Sequence, residues 1–401
     1  MDLASWELLR SSAGQTALRM AMQQIPTDAT FLAELQRLSR AVDADTARLA
    51  LQQAMLRQRA REKFQRADQM LFQREALEQA TSEPIARYRA GRFAGMQLVA
   101  EVGCGIGGDS LALAQVAPLW AIDRDPVRLA MAEYNVQVNE PKFPVRFDSQ
   151  ELKSHDWRGV DGIFVDPARR VQGQRILRVE DAEPPLSQIR QWQMQVPAVA
   201  VKLAPGTARL DWEHQPAEVE FISRGGELKE CVLWFGPWRS VARRATVLDR
   251  EGRFLGSLAT PFRIGALPDP VEPRGYLLDP DAAVIRAELL GDLAESLHAA
   301  PLEEGIALLT CDEAISTPFA ECLEIEAIVP VKEKPLKAEL RRRKIGSLEI
   351  RKRGVSMDAD ALARAVRLPT GDRRILLVTP LHGKPTGLLL RRLPESTPTR
   401  D

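Results

Sequence analysis

Apolar residues change their spacing along this 401-residue chain, and the changes mark out its parts. Over residues 1–93, Leu, Met and Ala recur at helical intervals among Gln and Arg, as in AVDADTARLALQQAMLRQRAREKF (41–64), and β-branched residues are few. That spacing predicts a helical region punctuated by Pro26 and Pro84. From 96 onward, short apolar runs end in turn residues and lead into helical stretches. MQLVAEVG (96–103) reads as a strand before DSLALAQVA (109–117) as a helix, and PLWAID (118–123) as a strand before DPVRLAMAEYNVQVN (125–139) as a helix. VRFD (145–148), VDGIFVDP (160–167) and AVAVKLAPG (198–206) continue the series, and ELKECVLWFG (227–236) reads as a late strand. Strands alternating with helices predict an α/β, doubly wound, mostly parallel sheet covered on both faces.

Beyond 240 the elements shorten. ATVLDREGRFLGSL (245–258) predicts a hairpin, and PDPVEPRGYLLDPDAAVIRAELL (268–290) is proline-rich and then helical, with a boundary near 265–275. LEIRKRGV (348–355), RRILLVTP (373–380) and TGLLLRRL (386–393) read as strands, DADALARAV (358–366) as a helix, and ESTPTRD (395–401) as a frayed end. The pattern divides the chain into a helical region (1–93), an α/β domain (94–265) and a small α/β domain (266–401).

Composition narrows the function classes. With 45% hydrophobic and 27% charged residues, the chain is neither disordered nor collagen-like. Lys+Arg and Asp+Glu are 55 each, so attraction to nucleic acid must come from local patches. The four cysteines (Cys104, Cys231, Cys311, Cys322) and four histidines are scattered without a CxxC pair, which points away from a metal site and toward reduced thiols in a cytoplasm. MDLASWELLR lacks the pattern of a signal peptide, and no apolar run approaches the roughly 18 to 20 residues of a membrane span. Arg57, Arg59, Arg61, Lys63 and Arg66 cluster in the helical region, as a solvated face or as a surface for an anionic substrate.

The candidate chemistry begins at Glu101-Val102-Gly103-Cys104-Gly105-Ile106-Gly107-Gly108-Asp109, between a predicted strand and a predicted helix. Glycines there let a ligand approach the backbone at the carboxyl end of the sheet. Gly103, Gly105 and Gly108 satisfy GxGxxG, but Glu101 and Asp109 flanking them would repel a pyrophosphate. S-adenosylmethionine (SAM) has no phosphate and carries a sulfonium and an ammonium, which suit an acidic rim. Asp123, ending the next strand, is placed to accept hydrogen bonds from ribose hydroxyls, and Asp148, ending VRFD, to meet the adenine amine. Each aspartate also has a capping or turn reading, and Asp125 reads as the cap of the following helix. Cys104 needs only to be small in the loop.

The ordered set of the glycine loop, Asp123 in AIDRDPVRLAMAEYN, and Asp166-Pro167-Ala168-Arg169 resembles the class I SAM-dependent methyltransferases over about residues 75–240. Within them it looks like the branch of the trimethylguanosine synthases. EQATSEPIA (78–86) is similar to the segment that folds over the cofactor in that branch, and the tail, with YLLDPDAAVIRAELL and LEIRKRGV, looks like a THUMP-like domain. The resemblance implies SAM as cofactor, bound by Glu101, Gly103, Cys104, Gly105, Gly107, Asp109, Asp123 and Asp148, with RNA as partner. It implies also that Asp166 and the Pro167 region accept hydrogen bonds from a target amine. Amino-methyltransferases of this kind often carry (D/N)PP(Y/F/W). Ala168 and Arg169 stand in place of the second proline and the aromatic, so the base-stacking residue is missing there. Arg169 and Arg170 could instead contact a phosphate or a carboxylate.

Ten of the 22 residues from Lys332 to Arg353 are Lys or Arg, including Arg341, Arg342 and Arg343. In a chain without net charge this concentration predicts a phosphate-tracking patch, or else a solvated face. The expectation is methyl transfer to a structured RNA such as tRNA or rRNA. The alternatives are a protein or small-molecule acceptor, and a non-catalytic RNA-binding module retaining the cofactor fold.

Overall fold

The computed structural model describes residues 2–149, 156–168, 170–171, 174–175, 178–260, 265–366 and 370–394. Arg169 and the stretch 395–401 lie outside the described residues, and the side chain of Arg170 is likewise not described. The chain forms two compact units, one of 1–219 with 230–240 and 250–253, the other of 220–229 with 241–249 and 254–401.

The first unit opens with helices α1 (Leu3–Arg10), α2 (Ser12–Gln23), α3 (Phe31–Leu38), α4 (Ala44–Ala60), α5 (Arg74–Gln79) and α6 (Glu83–Ala90). Asp43 caps α4 by accepting from the Thr46 amide at 2.9 Å. Leu9, Leu18, Leu38 and Leu51 are fully buried. The basic residues between 57 and 66 are mostly struts, a role the spacing did not reveal. Arg57 donates to the Met70 and Gln69 carbonyls, and Arg66 to the Val138 carbonyl. Lys63 Nζ donates to the carbonyls of Leu77, Glu78 and Ala80, closing the carboxyl end of α5.

Five parallel strands follow: β1 (Val99–Val102), β2 (Leu119–Ile122), β3 (Val145–Asp148), β4 (Gly162–Val165) and β5 (Ala198–Leu203). They lie in the order β5-β4-β1-β2-β3. Of the next two strands, β6 (Ala217–Arg224) and β7 (Glu227–Phe235), β7 runs antiparallel beside β5. β1, β4 and β5 are buried at every residue, which is why their sequences run apolar without alternation. Strand order reverses between β4 and β1, and a crevice opens at their carboxyl ends. Helices α7 (Ser110–Leu113), α8 (Pro126–Val138), α9 (Leu186–Gln193) and α10 (Arg209–Trp212) accompany this sheet. Asp125 caps α8, accepting from the Val127 and Arg128 amides, and Pro126 takes its first turn, as its sequence predicts.

The second unit holds β8 (Arg243–Leu248) and β9 (Phe254–Thr260), the predicted hairpin, with β8 between β9 and β6. It also holds a mixed seven-stranded sheet built from β10 (Tyr276–Pro280), β11 (Ala300–Pro301), β12 (Leu309–Cys311), β13 (Ala320–Val329), β14 (Ile345–Lys352), β15 (Asp372–Leu381) and β16 (Lys384–Arg392). Its order is β11-β12-β10-β13-β16-β15-β14. Helices α11 (Ala282–Arg286), α12 (Leu290–Ser296), α13 (Glu333–Arg342) and α14 (Ala359–Val366) accompany it. The LLL run of β16 has a simple cause: Leu388 and Leu390 join one core, and Leu389 joins another with Leu336 and Leu340 of α13. YLLDP is a strand rather than the start of a helix, because Leu277 and Leu278 are both fully buried between two antiparallel neighbours.

Candidate active site

The glycine loop leaves β1 and turns over the carboxyl end of the sheet. Gly103 and Cys104 donate their amides to the Ile122 carbonyl, and the Asp166 amide donates to Val102. Gly103 has φ +82, and a Cβ there would stand 2.6 Å from the Asp166 carbonyl oxygen, so the two strand ends close on each other only with glycine. Gly105 has φ +56, and a Cβ there meets nothing within 4 Å, because that position opens onto a cavity.

The cavity measures about 350 Å³. Its floor is Gly103, Cys104, Gly105, Ile106 and Gly108; one wall is Ala76, Gln79, Ala80 and Thr81; the opposite wall is Asp166-Pro167-Ala168 with Glu183-Pro184-Pro185. Asp123 lies at the rim and accepts from the Gly105 amide (2.8 Å) and the Asp125 amide (2.9 Å), which fixes its carboxylate while leaving lone pairs for further donors. Burial raises its pKa, and those two amides pull it back. Burial likewise raises the Cys104 thiol well above its ordinary value, aided by Glu101, which disfavours a thiolate nucleophile.

Behind the cavity lies a buried charged network. Arg89, on α6, contacts Asp109 and lies 3.1 Å from Glu230, with its guanidinium over the Phe164 ring. Thr81 Oγ1 donates to Asp109 (3.0 Å), tying the α5–α6 junction to the loop. Lys202 Nζ lies 2.5 Å from Asp166 Oδ2 and 3.7 Å from Asp109 Oδ2. Ser110 Oγ donates to Glu101 (2.5 Å), and burial, with Asp109 nearby, pushes Glu101 up to about 8. Burial pushes Glu230 up to about 6 against the opposing pull of Arg89. The acidic side chains of Asp109, Asp166 and Glu230 thus face the basic side chains of Arg89 and Lys202.

Of the residues expected to meet a cofactor, Gly103, Cys104, Gly105, Asp109 and Asp123 line the cavity, as do Asp166 and Pro167. Glu101 sits beneath the loop at 1% exposure, and Gly107 packs on Ala132 of α8. Asp148 ends β3 beside Ile122 and pairs with Arg146, away from the lining. Arg89 and Glu230 carried no sequence signal, since only burial distinguishes them from surface charges. The Glu183–Pro185 wall meets Asp166-Pro167-Ala168 through a single bridge from the Ala168 amide to the Glu183 carbonyl (2.9 Å). Trp234 is a fully buried core residue, and Trp238 packs against it and Phe93.

In the second unit the basic run is largely engaged. Arg342 and Arg343 share Glu339, Arg351 meets Glu321 and Glu349, Arg353 meets Asp279, and Lys337 and Lys352 donate to carbonyls. Lys332, Lys334, Arg341 and Lys344 are exposed and have no partner among the described residues. Arg341 and Arg342 also complement the carboxyl end of α13.

This sheet order and loop are compatible with the class of the SAM-dependent methyltransferases, and the relatives show that class. Two uncharacterised S-adenosylmethionine-dependent methyltransferases, from two strains of Mycobacterium tuberculosis, are 35% identical to this chain over 321 residues, covering 77% of it and 84% of each relative. The chain belongs to that family, and its cofactor is SAM. A crystal structure of a protein assigned as a methyltransferase from Porphyromonas gingivalis W83 shares the fold, with a TM-score of 0.77 at 20% identity over 97% of this chain and 98% of the other. Residues 320–392 match a THUMP domain-like family, and residues 2–60 match a domain of unknown function, DUF8688. Among the described residues no helix is long and apolar enough to cross a membrane, and no cluster of His, Cys, Asp and Glu could hold a metal.

Proposed function

We propose that this chain transfers the SAM methyl group to a nitrogen on a base of a structured RNA, within the cavity between the glycine loop and Asp166. The observation that carries the reading is that Gly105, Asp109, Asp123 and Asp166 line one cavity. The acidic residues Asp109, Asp123 and Asp166 in that lining suit a cofactor that brings a sulfonium and an ammonium. Asp123 would take the ribose hydroxyls, and Asp166 with the Pro167 region would hold an acceptor N–H so that the nitrogen lone pair points at the methyl carbon. The N–CH3 bond forms as the S–CH3 bond breaks, the sulfur keeps that electron pair, and the nitrogen's surplus proton leaves through the carboxylate to water. Placement and fixed charge supply most of the rate.

RNA as the acceptor is supported by the THUMP domain-like match and by the unpartnered Lys332, Lys334, Arg341 and Lys344 around α13. The pairing of Arg342, Arg343, Arg351 and Arg353 with carboxylates favours the second reading, a small acceptor. The test incubates the protein with methyl-labelled SAM and total RNA from cells lacking the gene. Label should enter RNA, and Asp166→Ala should slow it by roughly 100-fold or more, the scale of losing a preorganised polar contact, with SAM affinity held within a few-fold. Normal turnover in the variant would remove Asp166 from the mechanism, and an unlabelled RNA pool would favour the small acceptor.

A further inference from the structure

We propose that Lys202 is a positioning residue for methyl transfer: its buried amine pairs with Asp166 and Asp109 together and holds both side chains at the cavity wall. The inference rests on the reading that Asp166 faces the methyl centre.

The geometry is specific. Lys202 belongs to β5 and its side chain is 3% exposed, whereas Asp166, at the end of β4, is 24% exposed and lines the cavity. The ammonium therefore approaches Asp166 from the protein side, at 2.5 Å, and leaves the cavity side of the carboxylate to a ligand. The same nitrogen lies 3.7 Å from Asp109, which belongs to the cofactor loop and is also held by Arg89 and Thr81. One cation thus joins the cofactor side of the cavity to the acceptor side. A buried ion pair can often be replaced as a whole by apolar residues at little cost, but removing one partner alone leaves the other's charge uncompensated. Here its removal would leave two carboxylates near each other, and a proton would be taken up in place of the ammonium. A protonated wall attracts a sulfonium less and offers an acceptor N–H one fewer acceptor site.

This predicts a signature that needs no methyl acceptor. Calorimetry of SAM binding near neutral pH, in buffers of differing ionisation heat, counts the protons exchanged. Glu101, held up to about 8, and Glu230, at about 6, face the same network and exchange protons in wild type as well, so the readout is the difference between variant and wild type. Arg89 keeps its charge in both. Lys202→Met should release up to about one extra proton on binding SAM, as the cofactor's positive charge displaces the proton that replaced the ammonium. S-adenosylhomocysteine, which lacks the sulfonium, should release less. Lys202→Arg should restore the wild-type count, and Lys202→Met with Asp166→Asn should lose the extra proton. Lys202→Gln serves if the Met variant does not fold.

A Lys202→Met count equal to wild type would overturn the inference. An extra proton that persists with Asp166→Asn would come from another acid of the network and would overturn the role for Asp166. Asp166→Asn alone separates the underlying reading: it should lower the affinity for SAM relative to S-adenosylhomocysteine, by no more than a few-fold. An unchanged ratio would mean that Asp166 does not face the methyl centre, whatever Lys202 does.

Discussion

Arg89 and Arg342 both meet carboxylates, yet the first is 2% exposed between Asp109 and Glu230 and the second is 65% exposed beside Glu339. In the first unit, charges are withdrawn from water and arranged behind a cavity, where each holds another in place. In the second, Arg351, Arg374, Arg391 and Arg392 meet Glu321, Glu324, Glu326 and Glu349 as partly exposed pairs within and between strands of the sheet. Buried pairs are held at a desolvation cost and are sensitive to loss of either partner. Surface pairs contribute little each, but they cancel charge that would otherwise attract a polyanion. The sequence shows the same residue types in both places, and burial decides which becomes machinery.

The largest effect that tests this contrast is on stability. Arg89→Met leaves Asp109 and Glu230 buried without their guanidinium, and it should cost about 3 to 5 kcal/mol in urea denaturation. Arg342→Ala in the same assay should be indistinguishable from wild type. If the two variants behave alike, the contrast fails.

A second expectation concerns pH. Glu101 is raised to about 8 from an ordinary value near 4.5, so the folded protein binds a proton there that the unfolded chain gives up. Its contribution to stability is fully present below about pH 4.5 and is lost as pH rises through about 8. Glu101→Gln should flatten the decline in stability between those values, measured by denaturation across a pH series. An unchanged decline would mean that Glu101 is ionised in the folded state.

The smallest effects belong to the second unit. If α13 and its flanks track phosphates, RNA affinity should fall with salt by a slope of about 0.7 to 0.9 per neutralised phosphate. Replacing Lys334, Arg341 and Lys344 by Ala should flatten that slope by up to about 2 to 3 units. Replacing Arg342 and Arg343, already paired with Glu339, should change it by less than about 1 unit. Equal changes from the two sets would show that the pairing with Glu339 does not screen these arginines.

The parallel sheet was legible because its strands are buried on both faces and run apolar between turn residues, and the cofactor loop because glycines at Gly103 and Gly105 meet real backbone demands. Other parts were not. β13 carries Glu321, Glu324 and Glu326, whose partners lie far away in sequence, so its polar positions gave no sign of a central strand. β10 is followed directly by α11, and its short YLLDP run merges with the helical pattern after it. The site's second wall, Glu183-Pro184-Pro185, comes from a stretch far from Asp166 in sequence and is brought to it only by folding. Lys202 was visible as a lysine in an apolar strand, but its meaning depends on Asp109 and Asp166 converging from two other segments.

The central claim is that SAM occupies the cavity over the glycine loop, and binding calorimetry on wild type and Gly105→Val tests it most directly. A Cβ at Gly105 meets no protein atom within 4 Å, so the added side chain enters space that a ligand would use. Circular dichroism checks that the variant folds despite the φ of +56. Wild type should bind SAM and not NAD, whose pyrophosphate would meet Asp109, and the folded variant should bind neither. SAM binding that survives undiminished in Gly105→Val, or NAD binding by wild type without SAM binding, would contradict the account.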